Sequence, residues 1–76
     1  MALEDLFAKV FEQPAQAFTD DSSAQNVVTW TSLRHVTLLM EIENAYNTRF
    51  TNTEMASMRS LGDIRTALTK KGVDTT

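Results

Sequence analysis

A chain of 76 residues makes one small domain, and with no cysteine it has no disulfide, thiolate nucleophile or cysteine-based zinc site to brace its core. The net charge of −3 rests mainly on Glu4, Asp5, Glu12, Asp20 and Asp21, and the only adjacent basic pair is Lys70-Lys71, which excludes the clustered cations of a nucleic-acid surface. No apolar run reaches the length of a membrane span and Met1 to Asp5 lacks the basic start of a signal peptide, so the expectation is a soluble, cytoplasmic, monomeric protein, free-standing to judge from Met1 and Thr76.

In chain order, Leu3, Leu6, Phe7, Val10 and Phe11 recur at helical steps and predict a helix from about Ala2 to Glu12. Pro14 closes it, because the residue before a proline avoids the α region. Gln13 to Trp30 is rich in Asp, Ser, Thr, Asn and Gln and reads as a long loop, with Phe18, Val27, Val28 and Trp30 as apolar anchors. Loops of that length in a small domain are unusual unless functional. The second helix is expected over Ser32 to Tyr46, which holds no Gly or Pro, spans about 22 Å and stops near Asn47. Thr51 and Glu54 form a capping box for a short third helix over Thr53 to Met58. Ser60 and Asp63 signal the start of a fourth, whose stripe of Leu61, Ile64, Ala67 and Leu68 ends before Gly72. Lys70-Lys71 suit the negative end of that helix, and Val73 to Thr76 read as frayed. No segment alternates as a strand does. The fold class is all-α: a small four-helix bundle with a long loop between helices 1 and 2 and a short third helix, as a single domain over residues 1–76.

Placed on a helical wheel, the second helix has an apolar arc too wide for one core. Leu38, Leu39, Ile42 and Tyr46 make a core stripe with His35 and Ala45 at its edges, while Leu33, Val36 and Met40 form a second strip. Arg34, Thr37, Glu41 and Asn44 lie between their far edges. The second strip is either covered by the long loop or left as a docking surface, and Met40, whose side chain adapts to several partner surfaces, favours docking.

Other constellations have plain structural readings. Ser32, His35 and Glu43 can be drawn as a triad, but Ser32 and His35 share one short stretch of helix, no oxyanion hole is evident, and a small helical domain offers little room for a substrate-burying pocket. His35 reads as a partly buried residue packed on the first helix or the loop. Asp20-Asp21 and Glu41/Glu43 read as surface or capping acids, since a Glu-x-Glu spacing on a helix turns its carboxylates about 200° apart. Trp30 and Tyr46 read as core or loop anchors. The expectation is a protein that is not an enzyme and holds no metal.

Ser32 lies at the start of the longest helix, where a phosphate would meet unpaired N–H groups at the positive end of the helix dipole. Around it, Trp30-Thr31-Ser32-Leu33-Arg34-His35-Val36, with Asp20-Asp21-Ser22-Ser23, Leu38 to Glu43, Phe50 to Met55 and Ser60 to Ile64, resembles the acyl carrier protein family over about Asp20 to Leu68. That resemblance implies the same four-helix architecture and a 4′-phosphopantetheine carried on Ser32. It also implies partner docking through Thr31, Leu33, Val36, Thr37, Met40 and Glu43. The implied partners are a phosphopantetheinyl transferase and acyl-loading and acyl-processing enzymes. Thr31 departs from the family, which usually has Asp before the serine, and Arg34, Thr37 and Asn44 replace much of the usual acidic charge of this helix. The departure points to shape-driven contacts and to polyketide or other specialised biosynthesis. The alternative is an unmodified carrier-like interaction domain; a remoter one is a helical adaptor whose Ser32 is an N-cap.

Overall fold

The computed structural model describes residues 2–76, so Met1, to which the reading of the leader extends, lies outside the described residues. The described residues form four helices: α1 over Leu3–Phe11, α2 over Ser32–Tyr46, α3 over Asn52–Ser57 and α4 over Leu61–Lys70. A single 3-10 turn at Ala15–Ala17 interrupts the long first loop. Leu3, Leu6, Phe7, Val10 and Phe11 of α1 are all buried, as their spacing requires, against Leu38, Leu39 and Ile42 of α2 and Leu61, Ile64 and Leu68 of α4. Phe7, Phe11, Phe18 and Trp30 build the aromatic part of this core, with Phe11 and Trp30 centroids 5.1 Å apart and Phe7 and Phe18 at 5.5 Å.

α1 stops earlier than Pro14 demands. Glu12 adopts the left-handed conformation, φ 57°, and its N–H closes on the Ala8 carbonyl. Asn47 ends α2 in the same way, φ 52°, with its N–H on the Glu43 carbonyl. The capping box of α3 is complete: Glu54 N–H donates to Thr51 Oγ1 at 3.1 Å and Thr51 N–H to Glu54 Oε1 at 2.8 Å. With Thr51 as the cap, the helix begins at Asn52, one residue before the sequence expectation, and ends one residue before it at Ser57. α4 ends in a Schellman motif, in which Gly72, φ 79°, donates to the Thr69 carbonyl and Val73 N–H to the Leu68 carbonyl.

The long loop is tied down by buried Phe18, Ser22, Val27 and Trp30, but not by Val28, which is 93% exposed and is no anchor. The loop's backbone also finishes α4. Its Ser22 carbonyl accepts from Leu61 N–H at 3.0 Å and its Asp20 carbonyl from Gly62 N–H at 2.9 Å, satisfying donors that a helix start leaves open. A Cβ on Gly62 would stand 3.0 Å from the Asp20 carbonyl oxygen, so this approach of loop to helix suits glycine.

The C-terminal tail is docked rather than frayed. Thr75 is 5% exposed, its carbonyl accepts from Leu3 N–H at 3.1 Å, and its hydroxyl accepts from Arg65 Nη1 at 2.9 Å. The tail is held because it supplies an acceptor to the open N-terminal turn of α1, while Val73 packs on the core. Lys71 likewise does more than face a helix end: its ammonium lies 2.9 Å from Glu54 Oε1 and 5.7 Å from the centre of the Phe50 ring.

Candidate functional site

Val27 to Thr31 winds into α2 through close turns, with Trp30 N–H on the Val27 carbonyl and Thr31 N–H on the Thr29 carbonyl, each at 3.0 Å. Thr31 is extended, and its Oγ1 accepts from Arg34 N–H at 3.2 Å. Thr31 is therefore the N-cap and Ser32 the first helical residue, which corrects the reading of Ser32 as a cap. Ser32 is exposed and its hydroxyl makes no hydrogen bond among the described residues. The N–H groups of Ser32 and Leu33 precede the first intrahelical bond, which His35 makes to the Thr31 carbonyl, and they too are left without a partner among the described residues. No acidic side chain lies in this first turn.

Beside Ser32 opens a groove of about 790 Å³, lined by the loop from Asp21 to Gln25, by Trp30, His35 and Val36, and by Met58 to Ser60. It is open to solvent, a groove along the surface and not a pocket that would bury a substrate. The groove exists because the loop pairs with the start of α4, Ser23 bridging Ser60, and holds Asp21 to Gln25 opposite the first turn of α2.

The residues of α2 then divide sharply. Leu38, Leu39 and Ile42 are buried, while Leu33, Val36 and Met40 are 77%, 55% and 58% exposed, so the loop does not cover the second strip. Thr31 and Thr37 are exposed beside it, and Thr37 Oγ1 bonds back to the Leu33 carbonyl at 3.2 Å. Glu43 is set apart from that strip. Its side chain is only 17% exposed, accepts from Phe50 N–H at 2.9 Å and faces Arg49 at 3.7 Å. Glu41 pairs with Lys9 at 3.2 Å. Arg34 turns to α1, donating to the Val10 carbonyl at 2.6 Å and meeting Glu12 at 3.3 Å. The charges of α2 are thus largely answered within the fold.

No triad is assembled. His35 Nδ1 is occupied by Trp30 Nε1 at 3.0 Å, the Ser32 hydroxyl is not bonded to it, and Glu43 is engaged with Phe50 and Arg49. His35 is partly buried, as expected, and burial lowers its pKa from the usual 6.5. Among the described residues no cluster of three or more His, Asp or Glu side chains is arranged to hold a metal, and Asp20 is spent on Arg65 at 3.2 Å. No helix among them is long and apolar enough to cross a membrane.

Four helices, a long first loop and an exposed serine on the first turn of the second helix define the acyl carrier protein fold, and the chain resembles that family in both sequence and structure. The solved structure of a holo acyl carrier protein from Geobacter metallireducens matches it with a TM-score of 0.83 and 29% identity, over 91% of this chain and 79% of that one. A Mycobacterium tuberculosis protein provisionally described as an acyl carrier protein matches with a TM-score of 0.79 over 92% of this chain and 99% of its own, and at 15% identity shows a shared fold alone. No protein-family model and no curated protein matches the sequence.

Proposed function

We propose that this chain is an acyl carrier, not an enzyme, whose Ser32 Oγ gives up its proton and takes 4′-phosphopantetheine from coenzyme A through a phosphopantetheinyl transferase, as the pyrophosphate bond of coenzyme A breaks and adenosine 3′,5′-bisphosphate leaves. The observation that carries the reading is the Ser32 hydroxyl itself: exposed, unbonded, on the first turn of α2, beside an open groove. The residues fit the group. Ser32 Oγ is free to form the phosphodiester, and the unpaired N–H groups of Ser32 and Leu33 at the positive end of α2 favour its negative charge. Once attached, the arm supplies the thiol that a chain without cysteine lacks, and so allows an acyl group to be held as a thioester.

Leu33, Val36 and Met40, with Thr31 and Thr37 beside them, form the surface that loading and processing enzymes would meet. Glu41 and Glu43 are paired with Lys9 and Arg49, so recognition rests on apolar shape more than on attraction of acids to a basic partner. That pattern supports polyketide or another specialised pathway. The second reading, an unmodified carrier-like interaction domain, is favoured by one observation, the missing acid in the first turn of α2. Intact-mass measurement after treatment with coenzyme A and several transferases separates the two. The carrier reading expects one added phosphopantetheine on the Ser32 peptide and none on folded Ser32→Ala, and an unmodified wild type would favour the second reading.

A further inference from the structure

The chain's only tryptophan and only histidine meet beside Ser32. Trp30 Nε1 lies 3.0 Å from His35 Nδ1, and the two ring planes are within 20° of parallel with centroids 5.9 Å apart, so the rings meet edge to edge along that bond. An indole N–H can only donate, so Nδ1 is the acceptor and neutral His35 carries its proton on Nε2. Trp30 is held in place on its other side, 5.4 Å from Phe7 and 5.1 Å from Phe11 between ring centroids. The contact fastens the start of α2 to the aromatic core, and it brackets Thr31 to Arg34, the stretch that contains Ser32.

We propose that His35 is a pH-sensitive positioning residue, which locks the junction around Ser32 through Trp30 when neutral and releases it when protonated. A proton on Nδ1 would set two N–H donors against each other across the same 3.0 Å, so the bond is lost and the rings part. The charged groups lining the shared groove are Asp21 on the loop and Arg59 before α4; on α1, Glu12 is answered by Arg34. Among the described residues no carboxylate hydrogen-bonds to His35 to hold a positive charge there. Burial and the Trp30 bond both favour the neutral ring, so the junction is closed at neutral pH and opens in mild acid. The proposal rests on contacts within the unmodified chain and stands apart from whether Ser32 is modified.

The test uses unmodified wild-type protein and His35→Phe, which keeps an aromatic ring at the position without an acceptor. Imidazole ¹⁵N spectra, the Trp30 indole N–H resonance and tryptophan emission are followed from neutral pH into mild acid. The expected results are the Nε2–H tautomer at neutral pH, a Trp30 transition whose midpoint coincides with His35 titration below 6.5, and, on its acid side, weaker protection of the bonded Thr31 and Arg34 amides relative to their intrinsic exchange rates. His35→Phe should lose that transition and show the weaker protection of Thr31 and Arg34 already at neutral pH. An Nδ1–H tautomer, a Trp30 signal indifferent to His35 titration, or the same transition in His35→Phe would each overturn the proposal. Should His35→Phe fail to fold, the wild-type tautomer and the coincidence of the two titrations decide it alone.

Discussion

Thr31 combines two jobs at one position: it caps α2 through Oγ1 and stands immediately before Ser32, the proposed attachment point. Asp can do the first job equally well, and its charge favours the helix N-terminus by roughly 0.3–1 kcal/mol. Thr31→Asp should therefore melt at or slightly above the wild-type temperature and accept phosphopantetheine faster from transferases adapted to acidic carriers. Equal or slower initial rates would show that Thr31 does not limit modification. Thr31→Ala removes the acceptor for Arg34 N–H and should cost about 1 kcal/mol in chemical denaturation. His35 adds a pH term of definite sign. Its folded pKa lies below the usual 6.5, so between 6.5 and that lowered value the unfolded chain binds more protons. The contribution of His35 is complete above 6.5 and is lost as pH falls through the folded pKa. Denaturation midpoints across this window should fall less in His35→Phe than in the wild type.

At the scale of the element, α2 carries one face for the fold and one face that nothing among the described residues covers. The contrast between Met40, 58% exposed, and Leu39, 5% exposed, tests that division with adjacent residues. Met40→Glu should shift stability by no more than about 0.5 kcal/mol, whereas Leu39→Glu buries an unpaired carboxylate at a cost of several kcal/mol. A small domain has only about 5–15 kcal/mol of stability to lose, so Leu39→Glu should unfold or nearly so. Thermal melting reads both without knowledge of any partner. If the strip is the docking surface, Met40→Glu should also slow acyl transfer from a partner enzyme far more than it lowers the melting temperature.

Across the whole molecule, Arg65 is where the distant parts are joined. From α4 it pairs with Glu4 on α1 and with Asp20 on the loop, and it donates to Thr75 in the tail. Only a quarter of its side chain is exposed, so these bonds are less screened than those of a surface pair. Arg65→Met keeps the apolar stem and removes every donor; it should cost about 1–3 kcal/mol in urea denaturation. The same variant should speed hydrogen exchange at Leu3 N–H, which Thr75 holds at 3.1 Å, while leaving the centre of α2 protected. Loss of stability without faster exchange at Leu3 would mean that the tail docks independently of Arg65.

The helices, the caps of α3 and α4 and the two faces of α2 were legible from the sequence because each depends on residues a few positions apart. The Leu3 to Phe11 stripe, the Thr51 and Glu54 box and the Gly72 stop are local, and so is the placement of Ser32 at the head of α2. The groove beside Ser32, the closure of α4 by the Asp20 and Ser22 carbonyls, the docked tail and the withdrawal of Glu43 toward Phe50 were decided only by the tertiary structure. Backbone carbonyls carry no sequence signature, so the acceptors at Asp20, Ser22 and Thr75 could not be foreseen from residue type. The same holds for Trp30 and His35: the spacing brings them near each other, but only packing against Phe7 and Phe11 turns the indole N–H onto Nδ1.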